Sequence, residues 1–372
     1  MYAGISKRKV GKQTHYYINT QQYVNGERKC STISVKKYLG LDRPAKRPEA
    51  KQVLAKILED NRQGLFVRGS RKTLQIYMSE WLRHHALTVK KSTAASYEQV
   101  IDLYITPHLG KTALVDISPQ QIKDWHSTLL EEVSNTTARY AHTVLKASLD
   151  TAVREGLLQK NPAKLVKPPA RVKKQISWLQ WDEAENLLDA TKEHRYGLYI
   201  RIALATGMGR SEILGLRWSD IDYENSVISI RRTFVRCKGE SYFQDSAKTQ
   251  NRLRTIDIGP KLIESLKAWE EQQNREKEAL GYATDLVLCS NTGQPVNPSN
   301  LQRYISRLVN EQGLPHFSTH TLRHTHATKL LQEGMAPKAV AERLGHSVQV
   351  LMDTYAHACP RLSKEAAMVA DI

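Results

Sequence analysis

The run Asn161–Gln175 limits what this chain can fold into more than any other stretch. It holds Pro162, Pro168 and Pro169 together with Lys164, Lys167, Arg171, Lys173 and Lys174, and Lys160 stands just ahead of it. Proline stiffens such a segment, and the charges suit contact with a phosphate backbone. It reads as a linker, 161–175, with separate cores on either side. A chain of 372 residues is in any case long for one core, so two or three domains are expected.

Ahead of the linker, residues 1–66 read as a small basic α+β module. Lysine and arginine occur eleven times in residues 1–48, against two acids. Tyr16-Tyr17-Ile18-Asn19 and Cys30 to Val35 read as strands around the turn Asn25-Gly26. A helix is expected from Pro48 to Asn61, with Val53, Ile57 and Leu58 on one stripe. Short sheets with basic faces can lie in a DNA groove. Gly64 to Arg71 reads as a second linker. Residues 73–160 then read as a bundle of short helices. Thr73 caps the first, Ser92 a second that ends before Pro107, Ser118-Pro119 opens a third, and Ser134 or Asn135 a fourth.

Beyond the linker, 176–372 reads as a mixed α/β domain. Trp181 to Thr191 is helical, and the apolar run Tyr196–Ala205 leads through Thr206-Gly207 into a helix expected over Gly207–Leu216. Strands are expected at Val227–Thr233, Tyr242–Phe243 and Arg254–Ile258, forming one small antiparallel sheet. Pro260 and Pro298 open two further helices. The fold class is therefore multidomain and mainly α.

Charge narrows the partners. Fifty-five basic against 38 acidic residues leave +17, which implies an anionic partner, with nucleic acid the leading candidate. No stretch approaches ~18 consecutive apolar residues, so no membrane span is expected, and the first residues lack the apolar core of a signal peptide. Cys30, Cys237, Cys289 and Cys359 are scattered, with neither metal-ligand spacing nor a disulfide framework, which fits a reducing compartment. No Gly-x-x-x-x-Gly-Lys-Ser/Thr pattern occurs, so no nucleotide-driven step is expected.

The chemistry-bearing residues gather near the C-terminus. His320 and Arg323 sit three apart and share a helix face. Leu344-Gly345-His346 follows, and nine residues later comes Tyr355. His320 and His324 have the i, i+4 spacing of a metal pair, but Thr321 stands where the zinc-protease pattern needs Glu. Arginine offers a planar donor fork for phosphate oxygens, and a phenol is a covalent nucleophile once its proton has somewhere to go.

In this order the residues resemble the tyrosine recombinases, the phage-integrase family. The matching elements are Ala205-Thr206-Gly207, Lys248, His320-x-x-Arg323, Leu344-Gly345-His346 and Tyr355, across roughly Ile176 to His357. The resemblance implies an N-terminal module for arm-type DNA sites, a helical core-binding bundle and a catalytic domain. It implies a site-specific integrase that works without cofactor or metal. Tyr355 would form a 3′-phosphotyrosine, with Arg323 and a second arginine on the non-bridging oxygens and His346 adding a hydrogen bond. His320 would assist the phenolic proton, and Lys248 would protonate the leaving 5′-oxygen. Double-stranded DNA and a homo-tetramer on two synapsed duplexes are the implied partners, an excisionase or DNA-bending host protein is a further one, and a bacterial cytoplasmic location follows.

One departure stands out. The family's first arginine follows Thr-Gly-x and lies three before an acid. Here that slot, counted from Thr206 or from Glu212, holds Gly209, and Arg210 is one place on, about 100° round a helix. Either Arg210 reaches the phosphate from a shifted helix start or the slot is empty. A DNA-binding protein with a degenerate site and a type IB topoisomerase-like activity remain as alternatives.

Overall fold

The computed structural model describes residues 2–11, 13–24, 27–62, 72–172, 177–245, 253–311, 313 and 317–355. The chain divides into two compact units, Met1–Val172 and Lys173–Ile372.

The first unit opens with an antiparallel meander of β1 (Tyr2–Val10), β2 (Gln13–Val24) and β3 (Glu27–Ser34). Its register aligns Ile5, Ile18 and Ile33 in one row across the three strands. That row faces α1 (Val35–Leu39) and α2 (Arg47–Arg62), where Val35, Ala50, Val53 and Ile57 complete a small core. Sequence reasoning missed β1, whose Ser6-Lys7-Arg8-Lys9 lacks apolar alternation; pairing along its whole length with β2 makes it a strand. Leu58, expected on the buried stripe, is 41% exposed, because a single residue step turns it about 100° away from Ile57. Asn25-Gly26 and all of the expected linker 64–71 lie outside the described residues.

The helical bundle follows: α3 (Leu74–His85), α4 (Lys91–Val100), α5 (Thr106–Leu109), α6 (Pro119–Glu132) and α7 (Asn135–Arg154). Thr73 caps α3 through the Ile76 N–H, Ser118 and Gln121 close a capping box on α6, and Ser134 caps α7 through the Thr137 N–H. Two expectations shift. Ser92 falls inside the first turn of α4, whose N-cap is Lys90. The helix also does not stop ahead of Pro107. A π-turn, Ile101–Ile105, carries it on, and the Thr106 N–H donates to the Ile101 carbonyl. The wider turn accommodates a residue that has no amide donor. Tyr77 from α3 donates to the Ser148 carbonyl on α7 at 2.9 Å, tying the ends of the bundle core together.

The first part of the expected linker is packed onto the bundle. Asn161 Nδ2 donates to the Lys146 carbonyl at 2.9 Å and to Asp150 Oδ1 at 2.8 Å. Ala163 and Val166 are buried in the bundle core. Proline stiffens this segment, and side-chain hydrogen bonds lay it against α7.

In the second unit α8 (Trp181–Ala190) and α9 (Gly197–Thr206) lead to the short α10 (Arg210–Ile213). The helix expected over 207–216 is thus reduced to one turn. Gly207 ends α9 in the left-handed region, φ +67°. The single expected sheet is two. β4 (Ile221–Asp222), β5 (Val227–Ile230) and β8 (Arg254–Asp257) form one, and the hairpin β6 (Arg232–Cys237) with β7 (Glu240–Asp245) forms the other. Then come α11 (Pro260–Leu280), α12 (Pro298–Glu311), α13 (Thr319–Gln332), α14 (Pro337–Leu344) and α15 (Val348–Tyr355). Among the described residues no helix is long and apolar enough to cross a membrane.

Helix α13 is buried around its circumference although it is rich in threonine and histidine. Thr321, Leu322, Arg323, Thr325, His326 and Thr328 are all buried. Two of its polar side chains are tied to neighbours: Thr325 accepts the Leu179 N–H at 2.9 Å, and His326 Nδ1 meets the Leu204 carbonyl at 2.7 Å. A Cβ at Gly207 would stand 2.6 Å from both the His326 ring and Leu344. Gly207→Ala should therefore cost about 1–2 kcal/mol for the left-handed backbone and about 1–3 kcal/mol more for overpacking. Faster hydrogen exchange of the α9 amides in the full-length variant would report it, and unchanged exchange would contradict it.

Candidate active site

The site is built around the Arg323 guanidinium, which is 6% exposed. Nη1 donates to the Gly207 carbonyl at 2.8 Å and Nη2 to the Leu344 carbonyl at 2.5 Å. These carbonyls belong to the C-terminal ends of α9 and α14, where helix carbonyls lack intrahelical partners and carry partial negative charge. Nη2 also lies 2.8 Å from His346 Nε2, just past the Gly345 that ends α14. Arginine can only donate, so His346 accepts there and is unprotonated at Nε2. Burial, then the nearby Arg323 and Arg254, push the His346 imidazole down to about 4.

Glu212 sits on the other side. Its carboxylate takes Arg254 as a two-pronged pair, at 2.8 and 3.1 Å, accepts the Gly209 N–H at 2.7 Å and lies 3.7 Å from Arg323 Nη1. Burial alone would raise the Glu212 carboxyl. The Arg254 hydrogen bonds and charge, the Gly209 amide and Arg323 outweigh that and hold it below the usual range. Arg254 Nε donates to the Arg343 carbonyl at 2.8 Å. Arg343 in turn donates to His326 Nε2 at 3.2 Å and to the Ala205 carbonyl at 3.0 Å. The frame thus joins β8, α9, α10, α13 and α14.

Tyr355 ends α15. Its ring is 1% exposed and belongs to a small apolar cluster with Leu331, Leu344 and Leu351. Its hydroxyl lies 2.5 Å from His324 Nδ1. Burial pushes the phenol up to about 12, with Arg323 pulling the other way. His324 is pushed down to about 4, chiefly by burial and then by His320, Arg323 and His346. Consecutive residues of one helix therefore hold the two C-terminal groups: Arg323 holds His346, and His324 holds Tyr355.

The residues singled out from the sequence divide accordingly. Arg323 and His346 are in direct contact, and Tyr355 joins them through His324. His320 is exposed; its ring meets His324 at 4.4 Å between centroids and makes no hydrogen bond to Tyr355. Arg210 is exposed on the first turn of α10 and makes no hydrogen bond to the cluster. Gly209 is the N-cap of α10, and a Cβ built there would point into the cluster, 3.5 Å from Glu212 Oε2 and 3.9 Å from Arg323 Nη1. Lys248 lies outside the described residues, between β7 and β8. Sequence reasoning gave no role to His324 or Arg254. Arg254 did carry a signal, because it shares the inward face of its strand with the buried Ile256 and Ile258.

Comparison with known proteins shows the family. The model of the phage integrase family covers residues 177–361, and that of the phage integrase N-terminal SAM-like domain covers 73–130. A tyrosine recombinase XerC-like protein of Caldanaerobacter subterraneus subsp. tengcongensis is 30% identical over 386 residues, spanning 96% of this chain and 98% of that one. The transposase from transposon Tn916 of Enterococcus faecalis is 28% identical over 95% of this chain and 91% of its own. The ICEBs1 integrase of Bacillus subtilis is 25% identical over 86% and 89%. Among solved structures, the Tn1549 transposon integrase in complex with a circular intermediate DNA superposes with TM-score 0.69 at 25% identity, covering 81% of this chain and 100% of that one. A lambda integrase dimer bound to a core site shares the fold, with TM-score 0.60 at 18% identity over 91% of this chain and 92% of that one. This chain belongs to the phage integrase family of tyrosine recombinases.

Proposed function

We propose that Tyr355 attacks a DNA phosphodiester and holds the cut strand as a 3′-phosphotyrosine until a 5′-hydroxyl of another strand displaces it, so that the chain integrates and excises a bacterial mobile element. The observation that carries this reading is the pairing on α13, where Arg323 holds His346 and its neighbour His324 holds the buried phenol of Tyr355. Arg323 stabilises charge on the non-bridging oxygens, and His346 lies beside it to add a hydrogen bond. Arg323 Nε and His346 Nδ1 are buried without a hydrogen-bond partner among the described residues. Buried polar groups call for partners, and phosphate oxygens would serve. Lys248 protonates the leaving 5′-oxygen, and an imidazole of α13 takes the phenolic proton. No ATP is needed, because the phosphotyrosine link conserves the strand's bond energy.

The rest of the chain supplies DNA contact. The basic sheet module, 1–66, takes arm-type sites, and the bundle, 73–160, takes core-type sites. A cavity of about 460 Å³ on the bundle is lined by Arg139, Lys146, Lys164 and Lys167, donors suited to backbone phosphates. Relatives from Tn916 and ICEBs1 favour an integrative element as the source. A homo-tetramer on two duplexes, aided by an excisionase or a DNA-bending host protein, is the assembly this reading requires.

A second reading, binding without efficient cutting, has Gly209 in its favour. The backbone there is extended, φ −73° and ψ 154°, and the Cβ direction faces Glu212 and Arg323, so an arginine could enter without strain. Arg210 is exposed on the first turn of α10 and is a weaker candidate for the second guanidinium.

Two measurements test these readings, both by trapping the covalent complex on nicked DNA carrying the element's own ends. Tyr355→Phe should abolish the complex, and Arg323→Lys should slow it about 10²–10³-fold with DNA affinity nearly unchanged; a covalent complex in Tyr355→Phe would refute the assignment. Gly209→Arg should speed cleavage by roughly 10²-fold, the usual worth of a donor aimed at developing charge. Equal rates for Gly209→Arg and the natural chain, with Arg210→Ala inactive, would show instead that Arg210 fills the role.

A further inference from the structure

We infer that His324, and not His320, is the base that receives the phenolic proton of Tyr355. This rests on the reading of Tyr355 as the nucleophile. A base must lie within hydrogen-bond reach of the group it deprotonates, or one water away. His324 Nδ1 stands at 2.5 Å from the Tyr355 hydroxyl, whereas His320 lies one turn earlier on α13, exposed, and touches His324 rather than the phenol.

The protonation states fit a donor phenol and an acceptor imidazole. Burial pushes Tyr355 up to about 12 and His324 down to about 4, so at neutral pH the phenol keeps its proton and His324 is neutral. Nδ1 is then the lone-pair nitrogen and Nε2 carries the hydrogen. The groups facing His324 are His320 and Arg323 on its own helix, His346 after α14 and Tyr355 on α15. Arg323 opposes an imidazolium, and so would His320 or His346 if charged. A DNA phosphate brings the missing negative charge. It favours the imidazolium as the phosphorane forms, so the base gains strength only with substrate in place.

The step balances. A lone pair of Tyr355 Oη forms the bond to phosphorus, and the Oη proton passes to His324 Nδ1. The bond from phosphorus to O5′ breaks, and O5′ takes a proton from the lysine ammonium assigned to Lys248. In rejoining, the attacking 5′-hydroxyl returns a proton to that lysine, and the imidazolium reprotonates the departing phenolate. No net proton or electron is gained or lost.

Asparagine separates holding from proton transfer, because its Oδ1 can accept the phenolic hydrogen where Nδ1 does but is not a base at neutral pH. Single-turnover covalent-complex formation is measured against pH with the full-length chain and with His324→Asn, His320→Asn and Tyr355→Phe. The natural chain should show a rate that is level through the neutral range, since His324 is already unprotonated there. His324→Asn should fall about 10²–10⁴-fold and climb about tenfold per pH unit, because only the small ionised fraction of the phenol then reacts. His320→Asn should keep the level profile. A level profile at the natural rate in His324→Asn overturns the proposal, as does a sloping profile confined to His320→Asn. Covalent complex in Tyr355→Phe sinks the nucleophile assignment instead, so the two failures are distinct. Should Gly209 hold the natural rate below detection, the same series in a Gly209→Arg background gives the same contrasts.

Discussion

Arg323 is a buried charge placed where helix ends meet. The carbonyls of Gly207 and Leu344 close α9 and α14 onto its two terminal nitrogens, and Glu212 of α10 stands behind one of them. Taking a guanidinium out of water is costly unless every donor is satisfied. Here helix-end carbonyls do most of that work, because their partial negative charge compensates without neutralising the cation. Among the described residues, Glu212 is the carboxylate that meets these guanidiniums, and it is shared between Arg254 and Arg323. The cluster therefore keeps a net positive charge in a water-poor place. That arrangement stabilises the fold less than a neutral one would, and it fits a site that awaits an anion.

The same balance gives Gly209 its meaning. Its amide already serves Glu212, so the backbone at this position is part of the frame whatever side chain it bears. Only a side chain aimed along its Cβ would add charge to the pocket. An arginine there would bring a third guanidinium beside one carboxylate, which favours the phosphorane and disfavours the empty site. On the proposed reading, glycine would relieve that repulsion at the expense of transition-state stabilisation, the usual trade between stability and activity.

Legibility in the sequence followed the range of the interactions. Caps at Thr73, Ser118 and Ser134 could be read because capping is local chemistry over three residues. Strand β1 could not, because Lys7, Arg8 and Lys9 become a strand only through pairing with β2. Pro107 gave a sound local signal to stop, and tertiary packing carried the chain past it through a wider turn. In the site, the order of His320, Arg323, His346 and Tyr355 was readable as a pattern. Which imidazole meets the phenol was not. That depends on how α15 packs on α13, a contact between residues 31 apart in the chain. Glu212 and Arg254, 42 apart, are a further case of the same kind.

The position of Tyr355 also bears on how the site works. Its ring is part of a small cluster formed by α13, α14 and α15, separate from the large core around α9, the sheets and α12. Small satellite clusters open at a lower free energy than the core they border. A phenol that is 1% exposed has to leave some of that apolar contact to reach a phosphate. The hydrogen bond to His324 must stretch or travel with it. On the proposed reading of Tyr355 as the nucleophile, this burial would keep the free protein from cutting DNA at random encounters. On that same reading, binding energy spent on drawing α15 out would make DNA affinity a gate on the chemistry.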